Sequence, residues 1–77
     1  MGWSMELLDT SGLKCPLPVL KAKKALKVLS AGDRLTVIAT DPGAMKDFHH
    51  FCDATGDILE SATEEAGVLT FIISKAE

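Results

Sequence analysis

Apolar residues recur at helical spacing in two stretches of the chain, which predicts two amphipathic helices. The first covers residues 16–30, and its apolar stripe consists of Val19, Ala22, Leu26 and Leu29. Positions three and four residues apart lie on the same side of a helix. The second covers residues 43–55, and its expected buried side consists of Ala44, Phe48, Phe51 and Cys52. Gly32 and Gly56 are the expected helix ends, because glycine readily adopts the left-handed conformation that terminates helices.

Four shorter segments are typical of strands: residues 5–9, 35–40, 58–63 and 68–74. Residues 35–40 are apolar on both faces of the pleat, which predicts an inner strand. Residues 64–67 predict a hairpin turn between the last two strands. The order strand, helix, strand, helix, strand, strand predicts an α/β (α+β) fold, a two-layer sandwich with two helices on one face of a four-stranded mixed sheet. The first two strands should be parallel, because a helix connects them.

The size and hydropathy of the chain predict one small domain over residues 1–77. A domain of this length has little room for an enclosed substrate cavity beside its core, which favours a surface site that works through partners. No apolar run reaches the length of a membrane span. Residues 1–6 lack the basic and apolar segments of a secretory signal, so we expect a cytoplasmic protein without membrane attachment.

The charge of the chain is unevenly distributed, although the net value is only −3. Positive residues crowd one stretch: Lys14, Lys21, Lys23, Lys24, Lys27 and Arg34. Acidic residues dominate from Asp41 onward. A positive field favours an anionic partner, whereas the simpler interpretation is a solvated helix face. The acidic total and the few aromatic residues argue against direct binding of nucleic acid.

The tetrapeptide Cys15-Pro16-Leu17-Pro18 is the strongest chemical signal. Proline is favoured at the first helical position, which predicts that Cys15 is the N-cap of the first helix. The helix N-terminus and the adjacent Lys14 should then lower the pKa of the thiol and activate it. The competing interpretation is that Cys15 is a small buried apolar residue. The same pattern predicts Asp41 as N-cap and Pro42 as first residue of the second helix.

Cys52 is a weaker candidate for chemistry. It lies three residues after His49 and could share a helix face with it, but a metal site would need further ligands. We therefore predict no metal site and no cofactor. Cys52 fits a core position best, and a role as resolving thiol for Cys15 would require the two residues to approach closely.

Beyond these patterns, the sequence resembles the TusA/SirA family of small sulfur-carrier proteins from about Leu8 to Lys75. The matching segments are Leu8-Asp9, Gly12-Leu13-Lys14-Cys15-Pro16-Leu17-Pro18-Val19, Lys23-Lys24-Ala25-Leu26, Gly32, Asp41-Pro42-Gly43-Ala44, Asp47 and Phe51-Cys52. The Gly-x-x-Cys-Pro-x-Pro run between a strand and a helix is the specific part of this resemblance.

The resemblance implies a sandwich like the C-terminal domain of translation initiation factor 3, with strand order 1-2-4-3. It also implies that Cys15 accepts a sulfane sulfur from a cysteine desulfurase or a rhodanese-type donor. The resulting persulfide would pass to an acceptor protein for tRNA thiolation, cofactor assembly or sulfur oxidation. Such a protein is a sulfurtransferase-type carrier rather than a turnover enzyme, and a monomer fits that task.

Within this resemblance, Gly12, Lys14, Pro16 and Pro18 are the motif residues that support Cys15. We predict that Leu17, Lys21 and Lys24 dock partner proteins. Leu17 stands where the tRNA-thiolation carriers have an acidic residue, and Thr40 stands where an acid is common. The alternative function is a regulatory or interaction module on the same scaffold, and a minor third is a redox protein that uses Cys15 with Cys52.

Overall fold

The strand and helix order follows the sequence prediction. The structure is a computed structural model that describes residues 5–76, so residues 1–4, most of the segment assessed as a secretory signal, lie outside the described part. Its elements are β1 (Met5–Thr10), α1 (Leu17–Lys27), β2 (Arg34–Ala39), α2 (Ala44–Thr55), β3 (Ile58–Glu65) and β4 (Val68–Ser74). Within residues 5–76, neither helix is long and apolar enough to cross a membrane.

The four strands form one mixed sheet in the order β1-β2-β4-β3. β1 and β2 are parallel, while β4 is antiparallel to both of its neighbours. This arrangement confirms the predicted strand order and the parallel first pair. β2 is an inner strand, as its apolar sequence predicted, and its side chains alternate between buried and half-buried.

The core lies between one face of the sheet and the two helices. α1 contributes Ala22 and Leu26, and α2 contributes Ala44, Phe48 and Cys52, all of which are buried. The sheet contributes Leu35, Val37, Ala39, Leu69, Phe71 and Ile73, which alternate along β2 and β4 and therefore share one face. The apolar stripe of α1 is confirmed, with Val19 and Leu29 half-buried at its ends.

α1 is shorter than predicted. It begins after its N-cap Pro16 and ends at Lys27, with Val28 as the C-cap. The N–H group of Val28 donates to Ala25, three residues earlier, which tightens the last turn and ends the helix. The prediction that Gly32 ends this helix is therefore wrong. Gly32 has a φ of +91° and donates its N–H to the carbonyl oxygen of Lys75 at 3.0 Å, which ties the turn before β2 to the end of β4.

The prediction for α2 is right at its end and wrong at its start. Gly56 has a φ of +85° and donates its N–H to the carbonyl of Cys52, as a left-handed C-cap does. The N-cap, however, is Gly43 rather than Asp41, and the helix begins at Ala44 rather than Pro42. The carboxylate of Asp41 is directed elsewhere, as the site below shows.

The hairpin between β3 and β4 is tighter than predicted. β3 continues to Glu65 and β4 starts at Val68, so only Ala66 and Gly67 form the loop. Both residues have positive φ, which suits the twist of a two-residue hairpin. Gly67 also donates its N–H to a carboxylate oxygen of Glu64 at 2.9 Å.

Candidate functional site

The site forms where two loops follow the parallel strands β1 and β2. Because parallel strands end at the same edge of a sheet, the loop after β1 lies beside the loop after β2. Gly12 donates its N–H to Oγ1 of Thr40 at 2.8 Å. Cys15 donates its N–H to Oδ2 of Asp41 at 2.7 Å. Two cross-loop hydrogen bonds thus hold the segment that carries the cysteine.

Cys15 is exposed at this edge, which confirms the prediction that its thiol is accessible and rules out the buried alternative. Its Sγ atom donates a hydrogen bond to Oδ2 of Asp47, in the first turn of α2. The Cβ atom of Cys15 also lies close to Gly43, where an added Cβ would sit 3.8 Å away. The thiol therefore faces the start of α2, a helix other than the one that its own motif begins.

The N-cap prediction for Cys15 is wrong. Pro16 occupies that position and α1 begins at Leu17, whose N–H donates to the carbonyl of Lys14 at 2.8 Å. Residues 14–17 thus form a turn that leads into the helix. Since the macrodipole acts mainly within the first helical turn, Cys15 lies too early to receive its full effect.

The predicted lowering of the Cys15 pKa is also wrong. The hydrogen bond to Asp47 raises the pKa of the thiol above its usual range, because a carboxylate acceptor stabilises the protonated form. Desolvation by the surrounding atoms raises this pKa further, and so do the negative charges of Asp47 and Asp41. Lys14, the preceding residue, is exposed and is not among the groups that shift this pKa.

A shallow cleft of about 340 Å³ opens beside the thiol. It lies between the start of α1 and the middle of α2. Its walls are Cys15, Pro16, Val19, Asp47, His50 and Phe51. Most of this lining is apolar, and Asp47 is the polar lining residue that contacts the sulfur.

Comparison with known proteins decides the family. The family described as "Sulfurtransferase TusA" matches residues 6–75. The chain belongs to the TusA family. It is 54% identical over 69 residues to the "Sulfur carrier protein TusA" of Allochromatium vinosum, covering 90% of this chain and 91% of that protein. A protein of Neisseria meningitidis serogroup A is 56% identical over 68 residues, covering 88% of this chain and 92% of its own.

A solved structure shares this fold. The SirA-like protein of Desulfitobacterium hafniense superposes with a TM-score of 0.80 and 30% sequence identity, over 95% of this chain and 100% of that one. The TusA/SirA resemblance proposed from the Cys-Pro-x-Pro run is therefore confirmed, and so is the α+β fold class.

The TusA motif residues around Cys15 have different environments. Pro18 is buried in the first turn of α1, whereas Pro16 and Lys14 are exposed. Gly12 has a φ of +82°, a conformation that non-glycine residues rarely adopt, and this turn presents its N–H to Thr40. Gly12 therefore shapes the loop and Pro18 packs in the helix that follows it, while Lys14 and Pro16 are exposed at the surface.

The predicted docking residues lie together on α1. Leu17, Lys21 and Lys24 are exposed and line a groove of about 460 Å³ with Leu20, Lys23 and Lys27. Leu17 leaves 45% of its surface exposed, directly after the Cys15 loop. A basic and partly apolar strip therefore runs away from the thiol along α1.

Cys52 is a core residue, as predicted. It is 6% exposed, and burial raises its pKa from 9.0 to about 11, with smaller contributions from Asp57 and Asp53. Both cysteines are free, and they occupy opposite environments, one at the surface and one in the core. Across residues 5–76, no group of three or more His, Cys, Asp or Glu side chains could hold a metal ion.

We expect Cys52 to resist alkylation in the folded protein until the pH approaches about 11. A thiol with a raised pKa lacks the reactive thiolate at lower pH, and burial blocks the reagent as well. Iodoacetamide at pH 8 followed by peptide mapping should modify Cys15 and leave Cys52 intact, whereas denaturant should expose both. Equal modification of the two in the native protein would contradict the assigned core position.

The sequence interpretation missed the role of the acidic residues that contact Cys15. Asp41 and Asp47 were expected as a helix cap and a family marker, yet they bind the backbone N–H and the thiol of Cys15. One signal could have located Asp41. It follows a strand predicted to be parallel to β1, so its loop had to lie beside the Cys15 loop.

Proposed function

We propose that this protein carries a sulfane sulfur as a persulfide on Cys15. The exposed thiol on a hydrogen-bonded loop is the observation that carries this proposal. Relatives that are named sulfur carrier protein TusA support it, since the match covers nine-tenths of both chains. A carrier needs a reachable sulfur and a defined loop rather than an enclosed pocket, and the site offers both.

The reaction has two transfers. A cysteine desulfurase or a rhodanese-type donor presents a persulfide, and Cys15 Sγ attacks its terminal sulfur. The bond between the two donor sulfurs breaks, which leaves a thiol on the donor and a persulfide on Cys15. An acceptor protein then removes the outer sulfur by the same step. No cofactor takes part in this exchange.

The experiment that tests the proposal follows both transfers. The protein is charged by a cysteine desulfurase with cysteine, separated from the donor, and weighed by intact-mass spectrometry. We expect the addition of one sulfur atom, and its loss when an acceptor thiol is added. A protein that gains no sulfur from desulfurase, rhodanese or small persulfide donors would contradict the carrier function.

We propose that the basic groove on α1 receives the acidic surface of a donor or acceptor. Leu17 begins this groove two residues after Cys15, and Lys21 and Lys24 continue it along α1, so a partner seated there would lie beside the Cys15 loop. Complementary charge speeds association more than it raises affinity, and salt screens it. The lysines should therefore affect the rate at which protein donors load the carrier.

The paired substitution Lys21→Glu and Lys24→Glu should slow loading by an acidic protein donor about tenfold at low salt, because it reverses the steering charge. Loading by free cysteine persulfide, which needs no docking, should not change. Lys46→Glu on α2 is the control for a charge reversal outside the groove, and it makes half of the charge change of the pair. Equal slowing with the free persulfide, or with Lys46→Glu, would contradict a docking role.

A second candidate function rests on the same groove. The exposed Leu17 and Leu20 among lysines form a surface that an interaction module could use without any thiol. A pull-down with the wild-type protein and with Cys15→Ala distinguishes the interaction module from the sulfur carrier. Equal partner recovery together with full cellular function in the absence of the thiol favours the module, and loss of function with intact binding favours the carrier.

A further inference from the structure

The acidic side chain beside the thiol has no assigned task in the transfer. Asp47 accepts a hydrogen bond from Cys15 Sγ, and both groups line the cleft that a transferred sulfur would enter. Asp41 is differently placed, because its Oδ2 receives the backbone N–H of Cys15 at 2.7 Å. Asp47 is thus the carboxylate in contact with the reacting atom, and Asp41 positions the loop.

We propose that Asp47 is a catalytic residue that takes the proton of Cys15 as the thiol attacks a donor persulfide, and returns a proton to Cys15 when the sulfur leaves. This inference rests on the carrier function proposed above and assigns the proton path for its central step.

The contacts of Cys15 favour such a path. The carboxylates around the thiol raise its pKa and so favour the protonated thiol, which is a poorer nucleophile than the thiolate. A thiol that forms a bond to sulfur becomes strongly acidic as the bond forms, and a carboxylate already hydrogen-bonded to it can accept the proton at that moment. No rearrangement of the site is needed, since the hydrogen bond exists before the donor arrives.

The loading step balances in atoms and electrons. Cys15 Sγ forms a bond to the outer sulfur of the donor R–S–SH, while its proton moves to Oδ2 of Asp47. The donor's S–S bond breaks and its electron pair stays on the inner sulfur, which is reduced to a thiolate and receives the proton from Asp47. The products are R–SH and the Cys15 persulfide, whose Sγ has been oxidised from thiol to sulfane-bound sulfur.

Delivery is the same step with the roles exchanged. Cys15 is then the leaving group, and a thiolate of high pKa leaves slowly. The attacking thiol of the acceptor gives its proton to Asp47, and Asp47 passes a proton to Sγ as the S–S bond breaks, which removes that disadvantage. One carboxylate therefore serves both halves of the cycle, because Cys15 is nucleophile in the first and leaving group in the second.

The other charged groups near the thiol are less suited to this role. Lys14 on the Cys15 loop is exposed, and its side chain donates hydrogen bonds but does not accept them. His50 on α2 lines the cleft but is exposed, and the hydrogen bond from Sγ goes to Asp47 instead. α1 faces the thiol with Val19, which cannot titrate.

The test compares wild type with Asp47→Asn and with Asp53→Asn, an exposed acid on the same helix as a matched control. Two rates are measured at pH 7: alkylation of Cys15 by iodoacetamide, read on its peptide, and loading of Cys15 by free cysteine persulfide. The free donor has no docking surface, so a change in its rate reports on the chemistry. Circular-dichroism melts establish that each variant is folded.

We expect opposite effects on the two rates in Asp47→Asn. Alkylation should be faster by about threefold, because loss of the carboxylate lowers the pKa of Cys15 and the gain in thiolate exceeds its loss of nucleophilicity. Persulfide loading should be slower by about tenfold, because no carboxylate takes the proton. Asp53→Asn should match wild type in both rates.

Any other combination overturns the proposal. Faster loading together with faster alkylation means that Asp47 only suppresses the thiolate. Unchanged alkylation means that the contact does not exist in solution, and slowing of both rates means that the loop has been displaced. A wild-type protein that free persulfide cannot load removes the carrier function itself, and this proposal falls with it, whatever the alkylation rates.

Discussion

The Cys15→Ser protein is expected to accept no sulfur from any donor while it folds as the wild type does. The hydroxyl of serine can still donate to Asp47, and the backbone N–H still donates to Asp41, so the loop keeps its contacts. The side chain is exposed, and surface substitutions of this kind change the free energy of unfolding by less than about 0.5 kcal/mol. A hydroxyl, however, cannot form a persulfide.

Loading is measured by intact mass after exposure to a persulfide donor, and stability by urea denaturation. Cys52→Ser is the companion variant, because it removes the other thiol and leaves Cys15 in place. It should still acquire one sulfur if it remains folded. Sulfur uptake by Cys15→Ser at the wild-type level would mean that Cys52 or another group is the acceptor.

Replacement of Phe48 by alanine should destabilise the protein by about 3–5 kcal/mol, which approaches the whole stability of so small a domain. Phe48 is fully buried in α2 and stacks on Phe71 of β4, with ring centroids 4.5 Å apart. A second ring, Phe51, meets it edge-on at 6.5 Å. The substitution thus leaves a cavity where helix and sheet meet, and packed neighbours fill such a space only in part.

Urea denaturation measures this effect, and Val28→Ala is the control because Val28 is 84% exposed. The free energy of unfolding of the control should lie within about 0.5 kcal/mol of the wild-type value. If Phe48→Ala lowers the free energy of unfolding by less than about 1 kcal/mol, the assigned inner face of α2 is wrong. Destabilised Phe48→Ala should also expose Cys52, so that iodoacetamide modifies it at pH 8.

The order of the elements and their buried faces could be predicted from the residue pattern because that pattern is local, whereas the strand order followed from the family resemblance. The stripe of α1 and the apolar residues of β2 and β4 can be located from spacing alone, and their burial agrees with the structure. The helix ends were less predictable. Pro16 and Pro42 each fit a first helical position, which predicted Cys15 and Asp41 as N-caps, whereas the structure has Pro16 and Gly43 there.

The electrostatics of the site could not be derived from neighbours along the chain. Lys14 is adjacent to Cys15 in sequence and predicted an activated thiolate. Asp41 and Asp47 lie 26 and 32 residues away, yet they bind Cys15 in the fold and reverse the direction of its pKa. The charge that surrounds a surface thiol depends on which loops the sheet brings together.

The most direct measurement of the carrier account is the location of the transferred sulfur. Wild-type protein is loaded by a persulfide donor, its remaining thiols are blocked, and its peptides are sequenced by mass spectrometry. The account predicts one additional sulfur atom, bound to Cys15 and released by a reducing thiol. Additional sulfur on the Cys52 peptide alone, or on neither peptide, would contradict it.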